Sequence, residues 1–488
     1  MLNNLTNYPD LIRLKAIVDV PQDTDLITLG VRNPNYDGNY RPALNTYRDF
    51  ADSILAQVVP GITNVNAAYT LFVDLVYGDN ATAQVGSLAK PYKTIVAATA
   101  AAVALGSSIP ILIHLRPGQY NEGIVFRDRI YYYADKGVVF YTTGASDSFS
   151  DQQAVSGLFG YAQFTGSASI TLSYGCNLTI EFDKTDNATT NGFFQIVNGN
   201  SLYFPKINII CNSLTTTAAN ANGCRVRGQV DLTLNVKEFI KSPYSVLDVR
   251  GQGAVSGYTG NFTVNCPAII IQDGGQFGNN ASYKQCLVTY AVAATSVITI
   301  NADLYNEVTT ATFLGSNSGC ISDWTTSNAY TLRLNGNIYA GTQRAILNNS
   351  GSKQLIQGNI STTSIVASVS AGNTQIKNST IVRGDSTDAN AIIGVGAANL
   401  YLNDCTIYNG DAAGGFNTIS LTSASSRVYA NNVVSQHATA ADFFMSGIAG
   451  SSAGMINVQA TRANNSITSL YTATGFTQEA NLIVPQYI

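Results

Sequence analysis

The chain has 488 residues, of which only 11% are charged, against about 25% in an ordinary soluble domain. Its polarity comes instead from Asn, Ser, Thr, Gln and Gly, a composition typical of stacked β-structure with polar turns. Hydrophobic residues make up 45%, which excludes an intrinsically disordered chain. The net charge of −4 offers no basic surface for a phosphate backbone, so nucleic acid is excluded as a main partner.

No segment of the sequence indicates insertion into a membrane or export through a signal peptide. The longest strongly apolar run, at residues 98–105, is far shorter than the roughly 20 residues needed to cross a bilayer. The start of the chain has no basic stretch followed by an apolar one. We therefore expect a protein that stays in the cytoplasm or leaves the cell by a route that needs no signal.

Residues 1–60 differ from the rest because charges are denser and prolines interrupt the chain. An apolar stripe at helical spacing predicts a short helix that Pro60 stops. The stripe consists of Leu44, Tyr47, Ala51, Ile54, Leu55 and Val58. Such a stripe needs a partner surface, so the helix either packs on its own domain or docks onto another protein as an anchor.

Strand-like runs begin at Tyr69 and are interrupted by one predicted helix. Residues 94–105 are Ala-rich, and Gly106 stands where a glycine commonly ends a helix. Further strands are predicted at 109–120, 122–126, 129–133 and 137–142. From there to about residue 470, apolar runs alternate with Gly, Asn, Asp and Ser, and the sequence predicts no long helix.

Ten segments share one pattern, an apolar residue followed by a polar pair and then more apolar or Thr positions. They begin at Leu178, Ile207, Leu234, Val264, Ile300, Leu334, Ile356, Ile376, Leu402 and Tyr429. A repeat of this length predicts a parallel β-helix, in which coils stack about 4.8 Å apart and side chains alternate between inside and outside. Asn residues at equivalent turns are then expected to form hydrogen-bonded ladders. A β-sandwich is the alternative, but the hairpin signals it needs are sparse.

The predicted helix lies just before the first strands, where it can cover the exposed end of a β-helix. The run GSLAKPYKTIVAATAAA, followed by IPILIHLRPGQYNEGI, resembles the first segment of pectin-lyase-like right-handed parallel β-helices. The resemblance is close over residues 72–142 and extends to 470 only as a general rung pattern. It implies an all-β solenoid with an N-terminal capping helix and a small N-terminal anchor segment.

Modules with this fold are common in bacteriophage tail fibres, tailspikes and other virion appendages, which the chain also resembles in its proline-punctuated N-terminal segment. The resemblance divides the chain into a virion-attachment segment with a short helix (1–60), the first part and cap of the β-helix (68–142), the rungs (143–470) and a C-terminal tail (471–488). It also implies a homotrimer. The same scaffold hosts enzymes and adhesins, so the fold by itself does not decide the function.

Few residues offer catalytic chemistry. The chain contains no Gly-His-Gly and no Asp-Asp pair, so the catalytic residues of pectinolytic enzymes cannot be carried over. His114 and His437 are its two histidines, which disfavours a histidine triad or a multi-histidine metal site, and we expect His114 to be structural. The seven cysteines form no CxxC pair and are interpreted as reduced, buried core residues. We expect no cofactor and no metal.

One pair of carboxylates is a weak catalytic candidate. The rungs that begin at Ile376 and Leu402 are 26 residues apart, so Asp385 is expected to stack on Asp411, with His437 over Gly410 beside them. Carboxylates about 5 Å apart suit a retaining glycosidase or a cation site. Gly-Asp is also ordinary turn chemistry, and this is the favoured interpretation.

Aromatic residues offer a second candidate surface. Trp324 is the single tryptophan, so tyrosines are the alternative platforms for a sugar, and Tyr131, Tyr132 and Tyr133 are the candidate ligand surface. Strand alternation is expected to turn some of the three inward.

The favoured interpretation is a structural and adhesive virion appendage that projects from a phage particle and contacts a glycan or protein of the host surface. Residues 1–60 would attach it to other virion proteins. Two alternatives stay open. One is a polysaccharide-degrading tailspike depolymerase that uses Asp385 and Asp411, and the other is a purely structural virion protein.

Overall fold

The computed structural model describes most of the chain from residue 69 onward and two short strands before it. The described ranges are 26–32, 40–46, 69–106, 108–149, 153–173, 177–187, 193–198, 204–217, 222–251, 258–273, 284–308, 319–323, 330–384, 392–410, 417–437, 444–462, 465–466, 471–472 and 477–478. Within them lie one α-helix, α1 (Ile95–Leu105), and 39 strands. The chain divides into two compact units. The first comprises 1–118, 128–138 and 158–160, and the second comprises 119–127, 139–157 and 161–488.

The strands are given in chain order. Before residue 160 they are β1 (Leu26–Arg32), β2 (Tyr40–Thr46), β3 (Thr70–Val73), β4 (Ile111–Leu115), β5 (Gly118–Tyr120), β6 (Ile124–Phe126), β7 (Ile130–Ala134), β8 (Val138–Phe140), β9 (Ala145–Asp147) and β10 (Val155–Gly160). They continue as β11 (Gln163–Gly166), β12 (Ile170–Leu172), β13 (Asn177–Glu181), β14 (Lys184–Asn187), β15 (Phe194–Asn198), β16 (Lys206–Thr216), β17 (Cys224–Gly228), β18 (Asp231–Ser242), β19 (Leu247–Arg250), β20 (Asn261–Ile271), β21 (Leu287–Tyr290), β22 (Val297–Asn306) and β23 (Gly319–Asp323). The remainder are β24 (Thr331–Asn335), β25 (Ile338–Tyr339), β26 (Arg344–Asn348), β27 (Lys353–Gln357), β28 (Ile360–Thr362), β29 (Ala367–Val369), β30 (Asn373–Arg383), β31 (Ile393–Val395), β32 (Asn399–Asn409), β33 (Ile419–Leu421), β34 (Arg427–His437), β35 (Met445–Ser446), β36 (Ser452–Arg462), β37 (Asn465–Ser466), β38 (Tyr471–Thr472) and β39 (Thr477–Gln478).

In the first unit, helix α1 covers the parallel strands β3, β4 and β7. The Thr94 side chain caps its first turn by accepting a hydrogen bond from the Ala97 amide at 3.2 Å. Gly106, at φ +90°, ends it. Its buried face is small, with Ala98 and Ala102 fully enclosed, so the helix lies close to the strands. The predicted helix is confirmed.

The helix predicted near residue 44 is wrong at its start. Leu44 lies in β2, which pairs antiparallel with β1 and places Leu44 opposite Thr28. The backbone groups of this segment bond to the neighbouring strand, so they are not available for a helix. The spacing of apolar residues alone does not reveal this pairing. The other stripe residues, Tyr47, Ala51, Ile54, Leu55 and Val58, lie outside the described residues.

The second unit is a right-handed parallel β-helix. Each coil adds one strand to a 14-stranded parallel sheet that runs from β6 through β21 to β38. The same coil adds a long strand, or two short ones in line, to a second sheet that includes β16, β18, β20 and β22. The long strands bend in the middle, so this second sheet has a face before the bend and a face after it. We call these the first face and the second face.

The interior is filled by columns of aliphatic side chains. Before the bend, Leu234, Val264, Ile300 and Leu334 stack in register, and all four are buried. Columns of the same kind follow the bend and line the 14-stranded sheet. The six cysteines within the described residues are all unbonded and buried in this core, as predicted.

The pairings confirm seven of the nine repeat steps inferred from sequence. The confirmed steps run from Leu178 to Ile207 and along the seven starts from Leu234 to Leu402. Ile207 pairs with Leu232 instead of Leu234, so the sequence pattern placed this repeat start two residues too late. Leu402 pairs with Ala430 instead of Tyr429. A slip of one residue would turn Tyr429 into the interior, so strand alternation fixes this register.

The polar pair of the repeat is the bend itself. In four successive coils one bend residue has left-handed backbone geometry, namely Asn378, Asp404, Asn432 and Asn457, at φ between 51° and 54°. Asn and Asp tolerate this region better than other side chains because they hydrogen-bond locally. The sequence therefore places these residue types where the chain must turn.

An Asn ladder runs across the coils beside the bend, as predicted. The side-chain amide of Asn265 donates to Asn235 at 2.8 Å, Asn301 donates to Asn265 at 2.7 Å, and Asn335 donates to Asn301 at 2.8 Å. Asn265 and Asn301 each donate one of these bonds and accept another, so the ladder satisfies polar groups that coil stacking brings together.

Parallel pairing continues past residue 470. Strand β38 pairs with β35, and β39 pairs with β36, both in parallel. The C-terminal tail predicted from residue 471 therefore still contributes strands to the sheets. These two strands are only two residues long each, which is too short to show a repeat in the sequence.

We expect Asn378→Val to lower the free energy of unfolding by about 1–2 kcal/mol, because a β-branched residue is strained at φ 51°. Asn378→Gly should change it little, since glycine accepts positive φ. Urea unfolding followed by circular dichroism measures both. Equal stability of the two variants would contradict a left-handed bend at this position.

Candidate functional site: a groove on the first face

A shallow groove of about 140 Å³ opens on the second unit at β24, β27, β30 and β32. It is lined by Thr331, Arg333, Lys353, Gln354, Leu355, Asn373, Gln375 and Tyr401. Pockets that enclose a drug-sized ligand measure about 300–1,000 Å³, so this groove can hold one small unit of a larger ligand.

Coil stacking assembles the groove from residues far apart in sequence. Arg333 pairs with Leu355, Leu355 with Gln375, and Gln375 with Tyr401, which gives one column across four coils. Residues two positions earlier in each strand form the neighbouring column on the same face, and Lys353 lies there. The groove is therefore part of the regular sheet, and its shape depends on the register of the coils.

Two buried carbonyl oxygens distinguish the groove. The Oε1 atoms of Gln354 and Gln375 are buried and accept no hydrogen bond from any residue that the structure describes. Gln354 is 2% exposed and Gln375 is 9% exposed. An unmet acceptor of this kind costs about 1–3 kcal/mol. A ligand hydroxyl or amide could offset that cost at Gln375, whereas Gln354 lies in the interior column beside Leu332 and Thr374.

The charge of the groove is positive. The side chains of Arg333 and Lys353 are exposed at its rim, and none of its eight lining residues is acidic. A ligand with electronegative or anionic groups is therefore favoured over a cation. The arrangement offers hydrogen bonds and charge, and it holds no carboxylate for acid–base chemistry.

Aromatic side chains extend the groove along the coils. The rings of Tyr401 and Tyr429 stack with centroids 5.0 Å apart and an interplanar angle of 13°. On the second face, Tyr305 and Tyr339 stack at 4.8 Å, and Tyr339 and Tyr408 are 40% and 39% exposed. Tyr401 is 4% exposed, so within its stacked pair only the half-buried Tyr429 can present a ring to a ligand.

The tyrosine surface predicted at residues 131–133 is wrong for two of its members. Tyr132 is fully buried and its hydroxyl lies 3.0 Å from that of Thr99 on helix α1. Tyr131 is 8% exposed and packs against Phe159. Tyr133 is half-buried beside His114. Helix α1 covers this strand, so its rings are needed in the core.

The structure gives His114 a partner, as a structural role requires. Its Nε2 lies 2.9 Å from the Asp135 carboxylate, and its ring packs between Phe72 and Tyr133. Asp385 and Asp411 lie outside the described residues, so their stacking stays a prediction. The register of the flanking strands pairs Arg383 with Asn409.

The predicted position of His437 is off by one residue. His437 pairs with Asn409, whereas the sequence placed it over Gly410. The difference follows from the same one-residue slip that affected Tyr429.

Across the described residues no three His, Cys, Asp or Glu side chains lie close enough to hold a metal ion, and no described helix is long and apolar enough to cross a membrane.

The sequence alone did not identify the groove, because the residue that marks it is a polar one at a strand position where apolar residues are the rule. In the run KQLIQ of β27, Gln354 stands where the strand alternation calls for an interior apolar residue, equivalent to Leu332 and Leu400 in nearby coils. Such a residue is visible only once the register of the coils is known.

A buried lysine in this core, Lys284, has a pKa that burial lowers. Lys284 is 2% exposed, and its ammonium donates to the backbone carbonyls of Pro243 and Gln272 at 2.5 and 3.0 Å. Burial lowers the pKa of Lys284 from 10.5 to about 8, against a smaller opposing effect of Asp273. Between these values the unfolded chain binds more protons than the folded one.

Raising the pH from 8 to 10.5 should therefore stabilise the wild type relative to Lys284→Met, as the cost of burying the charge disappears. The difference in unfolding temperature between the two proteins measures this effect. Lys206→Met, at an exposed position, is the control and should show no such trend. A constant difference for Lys284→Met would contradict a buried, readily deprotonated amine.

We expect Gln354→Leu to raise the free energy of unfolding by about 1 kcal/mol, because it removes a buried acceptor that has no donor. Gln285→Leu is the matched control. Gln285 is equally buried, but its Oε1 accepts a 2.7 Å hydrogen bond from Ser245, so its loss should destabilise the protein. Denaturant unfolding compares them. Destabilisation by both variants to the same extent would show that the Gln354 carbonyl is satisfied.

No family model matches the chain, and no curated protein matches it. Among solved structures the chain is similar to the A-module of the mannuronan C-5 epimerase AlgE6 of Azotobacter vinelandii, at 12% sequence identity and a TM-score of 0.28. The alignment covers 79% of this chain and 95% of that chain. A likeness this distant says nothing about the ligand or the activity of the present protein.

Proposed function

We propose that the chain is an adhesive β-helix that binds a cell-surface glycan through the groove without cleaving it. The observation that carries the proposal is the buried carbonyl oxygen of Gln375, which accepts no hydrogen bond from the described residues and belongs to the column that lines a groove with a cationic rim. Sugar hydroxyls are donors of the required kind, and several of them sit on one small ring.

The shape of the groove supports a polymer as the ligand. It is too small to enclose an oligosaccharide, so one sugar unit would enter it and its neighbours would lie along the sheet. The half-buried ring of Tyr429 stacks on the buried ring of Tyr401 and lies one coil beyond the groove. Aromatic faces bind the apolar side of a sugar, and such repeated shallow contacts add up along a rigid surface.

The chemistry of the groove supports binding over cleavage. Glycoside hydrolysis commonly needs two carboxyl groups on either side of the scissile bond, and the groove residues include none. A depolymerase is therefore an outcome of the test below. The resemblance to virion appendages adds the remaining parts of the proposal: residues 1–60 attach to other virion proteins, the chain assembles as a homotrimer, and the glycan belongs to a host cell.

We expect Gln375→Leu and Arg333→Gln each to weaken glycan binding at least tenfold, or about 1.4 kcal/mol, while the fold stays intact. Binding of purified protein to an array of bacterial surface polysaccharides identifies a ligand, and titration of that ligand gives the affinities. Arg129→Gln, an exposed arginine of the first unit, is the control and should bind as the wild type does.

Incubation with the bound polysaccharide, followed by measurement of reducing ends and of unsaturated products, tests the absence of cleavage. Release of either product by the wild type would overturn the non-catalytic part of the proposal. Unchanged affinity of both groove variants for every polysaccharide that the wild type binds would overturn the groove as the site.

A further inference from the structure

Three arginines and one aspartate cluster on the 14-stranded sheet, away from the groove. We call Arg225, Arg227, Asp248 and Arg250 the arginine cluster. It lies on β17 and β19, which pair in parallel so that Arg225 stands beside Asp248 and Arg227 beside Arg250. The four residues share one face because they alternate along each strand.

Asp248 fixes the position of two of the arginines. Its carboxylate is fully buried and accepts from the Nε atoms of Arg225 at 3.3 Å and Arg250 at 2.5 Å. Arg225 is held a second time, since its Nη2 donates to the Asn222 side chain at 2.8 Å. Guanidinium groups fixed in this way are preorganised, and a ligand would lose little entropy in meeting them.

The cluster carries more positive than negative charge. Three guanidinium groups and one carboxylate give a net charge of +2 for these four residues (3 − 1), and Arg227 and Arg250 are directly paired like charges. Burial lowers the pKa of Arg227, and the charge of Arg225 lowers it further, while Asp248 opposes them. An anion at this position would relieve the repulsion.

A tyrosine completes the surface beside the cluster. Tyr290 on β21 pairs with Arg250 and is 54% exposed. A flat ring next to fixed guanidinium groups suits a ligand with an anionic group on one side and a sugar ring on the other. Neither a free inorganic anion nor a neutral sugar would use both features.

We propose that the arginine cluster and Tyr290 form a second binding site, for an anionic sugar in which a phosphate or other oxyanion lies on the arginines and the sugar ring lies on Tyr290. The site is separate from the groove and does not depend on it. It uses residues of the 14-stranded sheet, and the groove uses residues of the first face.

The test is a titration of the full chain with glucose 1-phosphate, inorganic phosphate and glucose, at constant ionic strength, followed by thermal unfolding and calorimetry. We expect saturable binding of glucose 1-phosphate, at least tenfold weaker binding of inorganic phosphate, and none of glucose. Chloride at the same ionic strength should not change the unfolding temperature. A shift with chloride that equals the shift with either phosphate would overturn the proposal, because general screening would explain it.

Arg227→Gln is the main variant, since Arg225 and Arg250 still pair with Asp248 and the fold should remain intact. It should lower the affinity for both phosphates at least tenfold. Tyr290→Ala should lower only the affinity for glucose 1-phosphate. Arg333→Gln, which removes a groove residue, should leave the affinities for glucose 1-phosphate and for inorganic phosphate unchanged. The groove proposal and the arginine-cluster proposal can therefore fail independently of each other. Wild-type affinity for glucose 1-phosphate in Arg227→Gln or in Tyr290→Ala would overturn this site.

Discussion

Parallel pairing between coils is the constraint on which the rest of this structure depends. Each strand binds the strands of the coils before and after it, so equivalent residues lie on top of one another about 4.8 Å apart. Any residue type at one position therefore meets the residue at the same position in two other coils. Aliphatic side chains gain from this arrangement, which is why Leu234, Val264 and Ile300 form a continuous buried column.

The same constraint limits which polar residues fit at the bend and beside it, and the sequence satisfies these limits in two ways. At the bend, Asn and Asp accept left-handed geometry that would strain other side chains. Beside the bend, Asn265 and Asn301 take part in a ladder in which each of them both donates and accepts a side-chain hydrogen bond. The bend residues are exposed and most ladder residues are half-buried, so polar side chains at these positions can bond both to one another and to solvent.

Much of this architecture could be predicted from the sequence because it depends on local signals. The Thr94 cap and Gly106 define helix α1, and a recurring polar pair gives the register of most coils. The errors occur where the competing interaction is not local. The pairing of β2 with β1 takes Leu44 out of the predicted helix, and the pairing of β18 with β16 places one repeat start two residues earlier than the sequence pattern indicated. Tyr132 was expected at the surface, but helix α1 folds back over it.

Both proposed sites lie where a column of stacked side chains contains groups that stacking does not stabilise. At the groove, Gln375 places an unmet acceptor in the column that lines it, and at the arginine cluster, Arg227 and Arg250 place like charges side by side. Each departure costs stability in the free protein, and a ligand with the complementary group would recover that cost on binding. A long β-helix tolerates such costs because each coil is stabilised mainly by its two neighbours. Local destabilisation in one coil thus leaves distant coils unaffected, and this allows a surface of weak, separate sites along a single rigid core.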